Sequence, residues 1–435
     1  MKVAFRTKAA ALALAVAGAL GAVADAAAQA NEIFIPVLVY RTGAYAPNGV
    51  PWADGFVDYL KLVNARDGGV NGIKLAYEEC ETGYATDRGV ECYERLKSRK
   101  PVAVNPLSTG ITYALTEKVP GDKITLFTTG YGRADSVDGS VFHWNFPLLG
   151  TYWDAADMLV QHVKKKGSLK GKKIALVYHD SPYGKEPIPL IQKRAAAEGF
   201  EVLLYPVTPP GVEQKSTWLQ IRQQRPDYVL FWSAGVMTPA GIREAQASGY
   251  PREKIYAIWW AGSDHDVKDI GAGAKGYNAI TLHNSAAKDK VHDELKKFVY
   301  DKGQGTGPAG GIGALAHTRG MMISMLQVEA IRTAQEKYGK GKVMTPEQVR
   351  WGFENLNLTA DRLKALGFGE VMRPVQTSCA NHMGNDWARI VQWDGAKWNI
   401  ASDWYTSDKT HIDPLVKEYA AKYAKDKNLK PRSCG

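Results

Sequence analysis

After residue 30 the chain has no apolar run that could cross a membrane, which takes about 20 consecutive apolar residues. It has no CxxC pair and no HExxH, and its nine histidines do not cluster, which argues against a zinc site. No GxSxG elbow and no Walker loop occur, so two common enzyme signatures are missing. Nor is there a large block of one charge. The 55 Lys and Arg are scattered among 45 Asp and Glu, apart from patches such as Lys164-Lys165-Lys166 and Lys170-Lys172-Lys173. The formal charge of +10 therefore reads as a solvated face rather than a nucleic-acid footprint. Cysteine is scarce and late, with four in all and none before Cys80.

What is present begins with a leader. Lys2, Arg6 and Lys8 precede an apolar run from Ala9 to Val23, and Ala28-Gln29-Ala30 supplies a small-x-small cleavage pattern. This is the pattern of a secretory signal peptide over residues 1–30, cut between Ala30 and Asn31. Cleavage removes Lys2, Arg6, Lys8 and Asp25, a net +2, and leaves +8 of the original +10. With no thiol at the new N-terminus to carry a lipid, the mature protein is expected free in the periplasm, soluble and monomeric. An oxidising compartment suits Cys80, Cys92, Cys379 and Cys434 as disulfides. Four thiols allow three connectivities, of which Cys80–Cys92 with Cys379–Cys434 is the local one.

Hydrophobic periodicity then sets the architecture. A strand is expected over Glu32 to Tyr40, a turn-rich stretch over Thr42 to Pro51, and a helix over Ala53 to Ala65. Strand, helix and strand follow over Ile73 to Glu78, Asp87 to Lys97 and Val102 to Asn105, then a helix from Thr109 and a strand over Ile124 to Thr128. The rhythm restarts with strands over Lys173 to Tyr178, Glu201 to Pro206, Tyr228 to Trp232 and Ile255 to Trp260, separated by helices. Alternation of this kind implies α/β architecture with parallel sheets. A long helix over Thr318 to Tyr338, another over Pro346 to Leu356, and a hairpin over Trp387 to Trp404 lack βαβ rounds of their own. They read as returns of the chain to two existing lobes.

Several segments carry a family likeness. They are Thr42-Gly43-Ala44-Tyr45-Ala46-Pro47-Asn48-Gly49, Val63-Asn64-Ala65-Arg66-Asp67-Gly68-Gly69-Val70-Asn71-Gly72 and Leu107-Ser108-Thr109. Val177-Tyr178-His179-Asp180-Ser181-Pro182-Tyr183-Gly184 and Arg225-Pro226-Asp227-Tyr228-Val229 complete the set. In this order and spacing the chain resembles the leucine/isoleucine/valine-binding-protein family, the type I periplasmic receptors of ABC importers. The resemblance implies two Rossmann-like lobes joined by a three-crossover hinge, with a small molecule in the cleft, permease subunits as partners and no cofactor. Carried onto this sequence, lobe one spans 31–148 plus 285–378, and lobe two 149–284 plus 379–435.

Ligands of open α/β sheets sit beyond the carboxyl ends of the strands. The turn Leu107-Ser108-Thr109 starts a helix there, and a helix N-terminus favours an anion. Plain N-capping by Ser or Thr accounts for the same residues, but the resemblance implies that the ligand carboxylate is seated on this turn. Thr129, Gly130 and Tyr131 form a second rim, and Tyr45 stands in the first loop. From the other lobe come Tyr183, Trp232, Ser233, Trp259 and Trp260. The family's amino-acid-binding members read the ammonium with an acid at the place of Trp259-Trp260, where none stands. Asp264 is the nearest substitute, with Asp266 beside it. Without one, a carboxylate or amide fits better than an amino acid, and an aromatic carboxylate is a further alternative.

Two rival functions remain on the sequence. Gly271-Ala272-Gly273-Ala274-Lys275-Gly276 matches the dinucleotide fingerprint GxGxxG, but it precedes a strand instead of following one, so an enzyme is not expected. His265 between Asp264 and Asp266 is the most reactive-looking cluster, and a polar loop explains it equally. A sensor that presents its solute to a membrane receptor would use the same clamshell.

Overall fold

The computed structural model describes residues 32–284 and 289–434. The leader and its cleavage point lie outside the described residues. Within them, β1 (Glu32–Val39) and β2 (Lys74–Glu81) pair in parallel, as do β3 (Ala103–Val104), β4 (Thr125–Thr129) and β5 (Asn145–Leu148). A parallel bridge from Val37 to Asn105 joins the two groups into one surface, ordered β2-β1-β3-β4-β5.

The second sheet takes β6 (Lys173–His179), β7 (Glu201–Val207), β8 (Tyr228–Trp232), β9 (Ile255–Ala257) and β10 (Asn278–Thr281). A short antiparallel pair, β11 (Asn357–Leu358) with β12 (Val375–Gln376), stands apart from both sheets. Then β13 (Arg389–Trp393) and β14 (Trp398–Ile400) form the expected hairpin, and β13 runs antiparallel along β10. The order is β14-β13-β10-β9-β8-β6-β7, with every pair from β6 to β10 parallel. The chain is thus an α/β protein with two sheets, the second edged by a hairpin.

Two elements differ from their sequence-based bounds in ways that shape the cleft. The first helix begins at Ala46 and runs to Asp67, so Thr42 to Pro51 is turn only as far as Tyr45. Pro47 is tolerated because a first-turn N–H has no intrahelical partner to lose. The strand expected over Ile255 to Trp260 stops at Ala257, and Trp259–Ala261 forms a short 3-10 turn. Both indoles are buried, so packing across the cleft overrides the strand preference of aromatic residues.

Both disulfides take the local pairing, Cys80–Cys92 and Cys379–Cys434. The first links β2 to the helix Thr86–Leu96, and the second fastens the C-terminal tail.

The helix Leu315–Tyr338 is almost wholly buried and crosses the helix Ala46–Asp67 at two glycines. A Cβ on Gly55 would lie 1.9 Å from the His317 carbonyl oxygen, and one on Gly320 would lie 2.0 Å from that of Trp52. Glycine in a helix interior costs about 1 kcal/mol relative to alanine, and the close backbone approach it permits is the reason for both. Gly55→Ala and Gly320→Ala should each lower the unfolding free energy by about 1–3 kcal/mol in urea titrations. A gain in stability from either would show that the crossing has slack.

Candidate ligand-binding site

The carboxyl ends of both sheets converge on one cavity of ≈ 20 Å³. From the first sheet come Tyr40 after β1, Tyr84 after β2, Leu107, Ser108 and Thr109 after β3, and Tyr131 after β4. The second sheet supplies Tyr183 after β6, Ala234 after β8 and Trp260 after β9. Tyr45 and Asn48 enter from the start of the helix Ala46–Asp67, and Tyr152 from the start of the helix Tyr152–Lys164. No side chain of this lining is charged.

The polar end is the start of the helix Thr109–Thr116. Ser108 caps it in extended conformation (φ −156°), its oxygen accepting the Ile111 N–H at 3.4 Å. The Thr109 hydroxyl is buried and completes no hydrogen bond of good geometry among the described residues. Leu107 takes a positive φ of 46°, which turns its N–H to the Tyr131 phenol oxygen at 2.8 Å. That phenol in turn donates to Asn105 Oδ1 at 2.6 Å. Tyr183 donates to the Ser233 carbonyl at 2.9 Å, and Tyr45 meets His179 Nε2 at 2.6 Å. The phenols of Tyr131, Tyr183 and Tyr45 are therefore committed to the protein. Those of Tyr84 and Tyr152 stand beside Ser108 and Thr109 respectively. Burial pushes all of these phenols well up, so they present O–H and not phenolate.

The cleft is bridged directly by the protein. Asn48 Nδ2 donates to the Trp260 carbonyl (3.0 Å) while its Oδ1 accepts from Gly235 N–H (2.8 Å). Trp259 Nε1 donates to the Gly130 carbonyl (2.7 Å), and Arg319 Nη1 donates to the Trp259 carbonyl (3.0 Å). The Ala134 N–H donates to Glu186 Oε1 at 2.6 Å. Burial raises the Glu186 carboxyl well above its ordinary range. His179 is buried too, and burial lowers it to about 4, so the ring is neutral. The tautomer with Nδ1–H toward Ser181 Oγ (2.7 Å) leaves Nε2 to accept from Tyr45.

Of the residues expected from the sequence, Tyr45, Leu107, Ser108, Thr109, Tyr131, Tyr183 and Trp260 share the cavity. The rest stand behind it or apart. Trp259 and Gly130 bond to each other one layer back, and Trp232 packs edge-on against Tyr152 with ring centroids 5.8 Å apart. Ser233 holds Tyr183 through its carbonyl and Thr238 through its hydroxyl. Thr129 is buried in the last position of β4. Asp264 is exposed at the start of a surface turn and lines no part of the cavity, so it does not stand in for an ammonium partner. Asp266 is buried, but its carboxylate accepts the Ser263 N–H at 2.8 Å.

Sequence reasoning did not find Tyr40, Asn48, Tyr84, Tyr152 or Ala234. Asn48 lies inside the family-like stretch Thr42 to Gly49, and Tyr84 beside Gly83 in a turn, where its own φ is +63°. Tyr152 follows a Thr151 cap that signals a helix start.

A family model described as "Periplasmic binding protein" matches residues 32–397. The chain belongs to the periplasmic binding protein family. A crystal structure from the Pseudomonas fluorescens group, described as an ABC transporter permease, is 40% identical with a TM-score of 0.86, covering 93% of this chain and 100% of that one. A Thermus thermophilus branched-chain amino acid ABC transporter with bound valine shares the fold at 19% identity and a TM-score of 0.74, covering 88% and 98%. A Rhodopseudomonas palustris solute-binding protein in complex with benzoate does so at 16% identity and 0.65, covering 87% and 98%. No curated protein gives a significant sequence match.

In this binding protein the neutral, buried His179 ties stability to pH. Its value of about 4 in the folded protein lies below the ordinary value near 6.5, so protonation favours the unfolded chain, where the ring is hydrated. The contribution to stability is complete above about pH 6.5 and is lost as pH falls toward 4. The stability of the unmodified protein relative to His179→Gln should therefore fall between pH 7 and 5, by at most about 1.4 kcal/mol per pH unit. Calorimetry at several pH values checks this, and parallel profiles would count against it.

Proposed function

We propose that this periplasmic binding protein is the solute receptor of an ABC importer. In this reading it works in the periplasm after removal of residues 1–30, and its lobes divide at 31–148 plus 285–378 and 149–284 plus 379–435. The two separate sheets, and the hairpin that returns to the second, support that division. The solute is a small carboxylate or amide, gripped first on the Ser108-Thr109 helix start and then enclosed as Tyr183 and Trp260 swing over it. Closure expels water, which strengthens each polar contact inside.

One observation carries the choice of solute: a cavity of ≈ 20 Å³ with hydroxyl groups at a helix start and no acidic side chain in its wall. Such a volume holds about one water, so even a molecule of a few non-hydrogen atoms needs the cavity to widen, and a small one needs it least. An amino acid would leave its ammonium unpaired, at a cost of several kcal/mol. An aromatic carboxylate would require the walls to part.

Ser108→Ala combined with Thr109→Ala should weaken solute binding at least tenfold, with the melting temperature of the solute-free protein within a few degrees of the parent. Calorimetry and thermal shifts against short carboxylates, short amides, aliphatic amino acids and aromatic acids check both points. Unchanged affinity would remove the helix start as the seat of the solute. Mass spectrometry of the incubated solute adds a separate control, since a turnover product would mean an enzyme.

A further inference from the structure

Arg319 lies one turn into the helix Leu315–Tyr338 and is 1% exposed. A guanidinium carries five N–H donors. Here Nη1 donates to the Trp259 carbonyl at 3.0 Å, while Nε and Nη2 have no acceptor among the described residues. No carboxylate of the described residues forms an ion pair with it. The acid that influences it is Asp266, whose own carboxyl is raised to about 6 by burial and whose oxygen is engaged by Ser263. His283, also buried, is lowered to about 3 by burial and by the Arg319 charge, so it stays neutral. Burial lowers the guanidinium only to about 10, and it remains a cation.

Its position gives that charge a direction. The guanidinium carbon is 4.8 Å from the centre of the Trp260 ring, and its charge also reaches the phenols of Tyr40 and Tyr152. Trp260, Tyr40 and Tyr152 all belong to the cavity wall. The buried guanidinium behind the uncharged wall and the Thr109–Thr116 helix start both contribute positive potential to the cavity, against the opposite contribution of Asp266, which also reaches the Tyr183 phenol. A role in fastening Trp259 accounts for one of the five N–H groups. It does not account for a permanent charge where a neutral amide donor would serve.

We propose that Arg319 is the counter-charge of the bound solute, making this receptor selective for a small monoanion such as a short-chain carboxylate over its neutral amide. The inference rests on the cleft being the solute site. Arg319 acts from behind the wall as a positioning and specificity-determining residue, without touching the solute itself.

The test compares acetate and propionate with acetamide and propionamide by calorimetry on the unmodified protein, Arg319→Lys and Arg319→Gln. The unmodified protein should prefer each carboxylate at least tenfold, Arg319→Lys should keep most of that preference, and Arg319→Gln should reduce it to about twofold or less, the carboxylate losing more affinity than the amide. A purely structural role would weaken both probes alike. A preference that survives in Arg319→Gln, an equal loss for acid and amide, or no carboxylate preference in the unmodified protein overturns the proposal. If Arg319→Gln does not fold, the pH profile of Arg319→Lys decides: its carboxylate preference should fall as the buried ammonium loses its proton toward alkaline pH while that of the unmodified protein stays level, and level profiles for both overturn the proposal. Failure of the cleft reading shows differently, as carboxylate binding that is indifferent to Ser108→Ala with Thr109→Ala.

Discussion

The turn at Trp259–Ala261 is the constraint on which the cleft depends. Because β9 ends at Ala257, the carbonyls of Trp259 and Trp260 point out of the sheet instead of into a ladder. Arg319 takes the first and Asn48 the second, and both donors stand on helices that pack together beside the first sheet. The Trp259 indole returns a bond to Gly130, so this one turn is held from three sides. Each such bond contributes about 1 kcal/mol net. Together they tie the ends of the two sheets across the cavity by a few kcal/mol. The glycine crossing of the two helices sets the positions of Asn48 and Arg319, and therefore how closely the lobes approach.

Around the cavity, the tyrosines divide the polar work. Tyr45, Tyr131 and Tyr183 spend their hydroxyls on holding loops in place, whereas Tyr84 and Tyr152 point theirs at the Ser108-Thr109 corner. A phenol is well suited to both tasks, since its ring fills space and its single O–H is aimed by the ring's own packing. The result is an apolar, ring-walled space with its donors gathered at one end. Its wall carries hydroxyls and no charged side chain.

The alternation of strands and helices, and the segment Leu107 to Thr109, were legible because they rest on local rules. Short apolar runs mark strands buried on both faces of a covered sheet, and a Ser before a helix caps it wherever that helix lies. Trp232, Ser233, Thr129 and Gly130 also stand at strand ends, but the pleat and the turn direction place them one layer behind the wall. Nothing in their own neighbourhood distinguishes them from Tyr183 or Trp260. Tyr40 and Tyr152 were hidden for the opposite reason. One closes an apolar strand and the other opens a helix, so each looks like core until the second sheet is placed opposite.

By itself, the sequence determined the α/β class, the paired returns of the chain, the family likeness and the helix start that would meet an anion. These follow from periodicity and capping, which act over a few residues. Only the tertiary structure decided which aromatics face the cavity, that Asp264 stays at the surface, and that Arg319 lies buried without an acid beside it. Those outcomes depend on contacts between residues distant in the chain, such as Asn48 with Trp260 and Trp259 with Arg319, and no local pattern encodes them.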